Sequence, residues 1–106
     1  MSPESSDQLA LDIAGRTLDF SRALEHDSYS PDLALGLLDE IKTQLVTAED
    51  QGLVSAEERC QTLLGLVEHG KQRAMAERDG HRAGLFEAIG RHVLGKLAEP
   101  FEPEAF

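Results

Sequence analysis

The sequence predicts an all-α protein, a small antiparallel bundle of three or four helices. The chain has 106 residues, which is the size of a single domain. Hydrophobic residues make up 41% of it, aromatic residues only 5%, and Trp is absent. Its aliphatic residues are mostly Leu, and Leu together with Ala, Glu, Gln and Arg favours helix. Residues that favour β-strands form no long run, so no sheet is predicted.

A first helix is predicted from about residue 7 to 25. Residues 1–6 are small and polar and are expected to be a disordered leader, with Ser6 or Asp7 as the helix cap. Gly15 interrupts the helical pattern and indicates close backbone approach by a neighbour. The apolar stripe of this helix consists of Leu9, Leu11, Ile13, Leu18, Phe20 and Leu24.

A helical hairpin is the firmest tertiary prediction. Its first helix is expected over 31–50, because Ser30-Pro31-Asp32 is typical of a helix start. Ser30 can cap the helix, Pro31 has the φ that the first helical residue needs, and the Asp32 carboxylate lies at the positive end of the helix dipole. Gly52 then favours a left-handed helix end. Ser55 and Glu58 have the spacing of a capping box, which predicts the start of a third helix. Since the link is short, the two helices should be antiparallel neighbours. The third helix presents Cys60, Leu63, Leu64, Val67, Ala74 and Met75 as its apolar face.

The junction near residue 80 leaves two alternatives. No large hydrophobic residue occurs between Met75 and Leu85, and Asp79-Gly80 favours a turn. A turn gives a four-helix bundle. A long continuous helix would instead project an apolar face that a second copy of the chain would cover, in a homodimer.

Charge restricts the partners. The net charge of −10 opposes direct binding to nucleic acid and to anionic membranes. Residues 1–50 contain eleven acids and three bases, whereas residues 69–96 contain six bases and three acids. The acidic half suggests one alternative function, a nucleic-acid mimic that inhibits a nucleic-acid-binding protein. Its phosphate-like array would be Asp12, Asp19, Asp32, Asp39 and Glu40.

No pattern in the sequence indicates an enzyme, a metal site or a cofactor. The four His residues lack helical pairing and no HExxH motif occurs. Cys60 is the single cysteine, so no disulfide forms within the chain, and its place on an apolar face predicts a buried thiol. No signal-peptide pattern or long apolar run is present, which predicts a cytoplasmic protein.

These exclusions favour a non-enzymatic protein–protein interaction module: an adaptor, a chaperone-like protein or a regulatory subunit. The expected partner is another protein, bound by an apolar face of the last helix with a basic rim. The residues predicted to bind it are Arg78, Arg82, Leu85, Phe86, Ile89, Val93 and Leu97.

The chain is predicted to divide into one helical domain, residues 1–98, and an acidic tail, residues 99–106. Pro100 and Pro103 predict an extended segment. Phe101 and Phe106 are candidate anchors for a partner within it. The tail resembles the acidic, Phe-ending tails of bacterial single-stranded-DNA-binding proteins, which implies docking in a basic-rimmed pocket. That resemblance covers these few residues alone.

Overall fold

Over residues 3–98, the computed structural model contains four α-helices in an antiparallel arrangement, which confirms the predicted all-α bundle. It describes the backbone of residues 3–98, and the side chains in that range except those of residues 3–6, 26 and 94–98. The helices are α1 (Pro3–Ala23), α2 (Pro31–Asp50), α3 (Ala56–Ala76) and α4 (Gly80–Ala98), and a single 3₁₀ turn, His26–Ser28, precedes α2. Each helix packs on the next, most extensively α1 on α2 and α3 on α4.

Helix α1 begins earlier than predicted. It starts at Pro3, so the expected cap at Ser6 or Asp7 is wrong. Proline is well suited to the first turn of a helix, where its missing N–H needs no partner, and nothing in the next residues stops the helix. At the other end the chain turns back sharply, because the Ser30 N–H donates to the Ala23 carbonyl at 2.6 Å.

Both ends of α2 are where the sequence places them, although one cap differs. The Ser30 hydroxyl makes no cap bond to α2 and instead donates to the Ser28 carbonyl at 3.1 Å. The C-terminus ends in a Schellman motif: Gly52, at φ +77°, donates to Glu49, and the Leu53 N–H donates to the Ala48 carbonyl. The left-handed glycine therefore ends the helix as predicted.

Helix α3 has the predicted capping box, and its end settles the junction near residue 80. The Ser55 hydroxyl accepts from the Glu58 N–H at 3.0 Å, while the Glu58 carboxylate accepts from the Ser55 N–H at 2.8 Å. After Ala76, Arg78 adopts a left-handed φ of 58°, which closes a second Schellman motif. The turn alternative is confirmed, and no continuous helix runs from α3 into α4.

The core lies where all four helices meet, and two aromatic rings occupy its centre. Phe20 of α1 packs edge-to-face on Phe86 of α4, with ring centroids 6.4 Å apart. His69 of α3 lies edge-on to Phe20 at 6.2 Å. Met75, expected in this apolar face, is instead 55% exposed because it lies at the last turn of α3. The remaining buried core residues are Ala23, Leu24, Ala34, Leu38, Ile41, Leu45, Ala48, Cys60, Leu63, Val67, Ala74 and Val93.

A polar junction connects the segment before α2 to the turn before α4. The Tyr29 hydroxyl donates to Asp79 Oδ2 at 2.9 Å, and the other carboxylate oxygen accepts from the Arg82 N–H at 3.2 Å, as an N-cap. Burial and the bond to Asp79 raise the pKa of Tyr29 to about 12. Desolvation alone would raise the pKa of Asp79, but the bonds from Tyr29 and the Arg82 N–H, with the Arg82 charge, lower it. Arg73 adds a cation–π contact over the Tyr29 ring.

Candidate functional site

The face of α4 that was predicted to bind a partner is mostly part of the core. Phe86 has no exposed surface and Val93 is 5% exposed, while Ile89 is half-buried against the same core. These side chains fill the space between α4 and the other helices, so they leave no open apolar face there. The expectation of a partner surface built on Phe86 and Val93 is therefore not supported by their positions.

The other residues predicted for that surface are dispersed. Arg82 forms an ion pair with both carboxylate oxygens of Asp32 of α2, with N–O distances of 3.0 Å. Arg78 is exposed in the α3–α4 turn and Leu85 is 39% exposed on α4. The Leu97 side chain, Phe101 and Phe106 lie outside the described part of the chain.

Apolar side chains are instead exposed on the α1–α2 pair. Leu11 and Leu18 stand two turns apart on one side of α1 and are 66% and 51% exposed. Leu33, in the first turn of α2, is 57% exposed. Exposed leucines that are clustered on two neighbouring helices are stronger evidence of an interaction surface than single exposed leucines scattered over the protein.

A groove runs along the seam of these two helices; we call it the α1–α2 groove. It consists of two adjoining depressions of about 310 and 360 Å³, and both are lined by Asp19 and Leu37. Leu33 lines one end and Leu11 the other. The remaining lining residues are Asp12, Gly15, Arg16, Arg22, Ala23, Ser28, Ser30 and Glu40.

Gly15 makes the groove open at its centre. A Cβ atom on this glycine would meet nothing within 4 Å, so the close neighbour that the sequence predicts for Gly15 is absent from the described chain. Gly36 on α2 is equally open. Because two helices approach most closely where one has a glycine, the groove has room for another backbone at this point.

The charges around the groove are mainly negative. Arg16 donates to Glu40 across the seam at 2.7 Å, and this bond is the main reason that the pKa of Arg16 is raised. Asp12 and Asp19 add two carboxylates, whereas Arg22 is the other base of the lining. Outside this groove, residues 1–50 still carry a large excess of acid.

The acidic array proposed for a nucleic-acid mimic is largely neutralised by pairing. Asp32 is bound by Arg82, Glu40 by Arg16, and Asp39 lies 3.6 Å from the Lys42 ammonium. Carboxylates held by cations present a weaker field than a phosphate array does.

The helical angles of Leu11 and Leu18 are a signal in the sequence for their exposure. Leu11 lies about 200° around the helix from Ile13, as Leu18 does from Phe20, so Leu11 and Leu18 were placed in the wrong stripe. Their exposure follows from that angle, because Phe20 faces the core.

Comparison with known proteins finds no family model, curated protein or solved structure that matches this chain. None of the helices, over the residues described, is long and apolar enough to span a bilayer. Within the same residues, no group of three or more His, Cys, Asp or Glu side chains has an arrangement suited to a metal ion.

Proposed function

We propose that this protein is a non-enzymatic interaction module that binds an amphipathic helix of another protein in the α1–α2 groove. The observation that carries the proposal is the exposure of Leu11 and Leu33, which line a groove that is open at Gly15, with Leu18 exposed one helical turn from Gly15 on α1. A helix laid along α1 and α2 would cover these leucines with its own apolar stripe, a common mode of peptide recognition.

The charge of the groove defines the partner further. Asp12, Asp19 and the acidic excess of residues 1–50 would attract Lys or Arg at the edges of the bound helix. Such charges increase the association rate and orient the incoming helix, while burial of the leucines supplies most of the affinity. The partner that we expect is thus a helix with an apolar stripe and basic edges.

A binding titration with designed peptides tests this function. One peptide carries Leu at helical spacing with Lys along both edges; the second has Glu in place of Lys; the third scrambles the Lys peptide so that its amphipathic stripe is lost. Fluorescence anisotropy should show saturable binding of the Lys-edged peptide alone. Equal binding of the scrambled peptide would mean that charge alone drives association, which would contradict the proposal.

Two glycine variants localise the binding without changing the charge. Gly15→Leu should fill the groove and weaken binding of the Lys-edged peptide at least about tenfold. The added side chain prevents burial of leucine side chains, each of which contributes ~1.5–3 kcal/mol when buried. Gly65→Leu is the matched control, because Gly65 is also a helical glycine with nothing within 4 Å but lies on α3, away from the groove. If both variants bind like the wild type, the groove is not the site.

A further inference from the structure

Two contacts connect one end of the α1–α2 groove to the start of α4. Every described residue that lines the groove belongs to α1, to α2 or to the segment between them. Behind the groove, however, Asp79 and Arg82 of the other hairpin bind residues at this end. The shape of the groove end is therefore linked to helices that do not line the groove.

The first contact is made by the segment that joins α1 to α2. Ser28 and Ser30 line the groove, whereas Tyr29 between them donates its hydroxyl proton to Asp79 Oδ2 at 2.9 Å. The half-buried Tyr29 ring packs against the core, and the guanidinium carbon of Arg73 lies 5.7 Å from its centre. Because the tyrosine is held at both its ring and its hydroxyl, it restricts where the two serines can lie.

The second contact is made by the first turn of α2. Leu33 lines the groove, and its neighbour Asp32 accepts from Arg82. Arg82 Nη2 donates to both carboxylate oxygens at 3.0 Å, and Arg82 Nε donates to one of them at 3.2 Å. Several bonds from one guanidinium fix the direction of a contact as well as its length. Since Leu33 follows Asp32 on a regular helix, a fixed Asp32 also fixes the direction of Leu33.

These two contacts differ in range from the bonds within the joining segment. The Ser30 N–H donates to the Ala23 carbonyl and the Ser28 hydroxyl to the Arg22 carbonyl, so these bonds close the turn onto α1 locally. The Tyr29 and Asp32 contacts each join residues 50 positions apart. They hold the turn against the other hairpin, which the local bonds do not do.

We infer that Asp79 and Arg82 are positioning residues for the α1–α2 groove. Through Tyr29 and Asp32 they hold the groove end in the shape that binds a partner; this inference rests on the proposed function, because it concerns the same groove. A groove end that is already in place loses less conformational entropy when a helix binds. Arg82, predicted from the sequence to bind the partner, acts on it through Asp32.

Peptide binding to variants with unchanged charge tests the inference. Tyr29→Phe removes the hydroxyl alone, and Arg82→Lys keeps the positive charge but loses the planar fork that holds Asp32. The Lys-edged peptide should bind each variant about threefold more weakly and the double variant about tenfold more weakly. Arg91→Lys is the matched control and should bind like the wild type, because Arg91 pairs with Glu87 within α4.

Amide hydrogen exchange of the free protein separates positioning from a general loss of stability. In the double variant the Ser30 and Ala34 amides, which bond to the Ala23 and Ser30 carbonyls, should exchange about tenfold faster. The Leu53 amide, at the other end of α2, should exchange at the wild-type rate. Faster exchange at all three amides would show a general loss of stability. Unchanged exchange at Ser30 and Ala34 would show that the contacts do not hold the groove end, and either result would overturn the inference.

Failure of this inference is distinguishable from failure of the proposed function. If the wild type binds the peptide and the double variant binds it equally well, the groove is a binding site whose end α4 does not position. That result overturns the inference alone. If the wild type binds no peptide, the proposed function fails and the inference falls with it.

Discussion

The ring of Phe86 in α4 lies against the backbone of Gly70 in α3. A Cβ atom built on Gly70 would come within 2.4 Å of Phe86 Cε1 and within 2.7 Å of two further ring atoms. Phe86 is fully buried and also contacts Phe20, so its ring has no free space to move into. The closeness of α3 and α4 therefore depends on the missing side chain at residue 70.

Gly70→Ala should destabilise the protein by about 1–3 kcal/mol, the usual effect of overpacking a core. Helix propensity acts in the opposite direction and would give up to ~1 kcal/mol of stabilisation, so a net loss reports the clash. Urea denaturation followed by circular dichroism measures the change.

The control for this prediction is Gly65→Ala in the same helix. Gly65 has nothing within 4 Å of a Cβ position, so the variant should be more stable by about 0.5–1 kcal/mol. In a Phe86→Leu background, Gly70→Ala should cost less stability than it does in the wild type, because the smaller side chain leaves room for the Cβ atom. Substitutions at residues in contact are not additive. If Gly70→Ala and Gly65→Ala stabilise the protein alike, the contact is not as close as described.

Arg78→Gly should stabilise the protein by about 1 kcal/mol. Arg78 closes α3 at φ 58°, where a side chain crowds the following carbonyl group and glycine does not. Thermal unfolding would show a higher midpoint for the glycine variant. Arg78→Ala keeps the Cβ atom and should change stability little. A glycine variant less stable than the alanine variant would contradict the strained conformation.

Tyr29 should ionise only at strongly alkaline pH while the protein is folded. Its pKa is raised from 10.0 to about 12, so the folded state holds the proton more tightly than the unfolded state does. This contribution to stability is complete below pH 10 and is lost as the pH rises toward 12. Because Tyr29 is the single tyrosine and Trp is absent, tyrosinate absorbance reports it alone.

In denaturant the same titration should shift to near 10, and Tyr29→Phe should remove the absorbance change and flatten the alkaline loss of stability. An absorbance midpoint near 10 for the folded protein would contradict the burial of Tyr29 together with its bond to Asp79.

Helix boundaries were predictable where a local signal determines them. Pro31, Gly52 and the Ser55–Glu58 capping box act within a few residues, and the structure has α2 and α3 at those limits. The start of α1 was not predictable, because Pro3 permits a helix without requiring one.

The candidate site was harder to predict than the fold. An apolar stripe on α4 does not reveal what covers it, and the burial of Phe86 depends on the distant Gly70. The exposure of Leu11 and Leu18 was detectable from their angle to Phe20, but the groove beside Leu11 depends on α2, which supplies Leu33 and Leu37. Contacts between elements are not encoded in the periodicity of one helix.

The central proposal, helix binding in the α1–α2 groove, is tested most directly by mapping the bound peptide. Amide chemical shifts of the isotope-labelled protein are followed while the Lys-edged peptide is added. The largest saturable changes should fall on Gly15, Asp19, Leu33 and Leu37, with little change in α3 and α4. Changes centred on α4, or weak unsaturated changes spread over every acidic residue, would contradict the proposal.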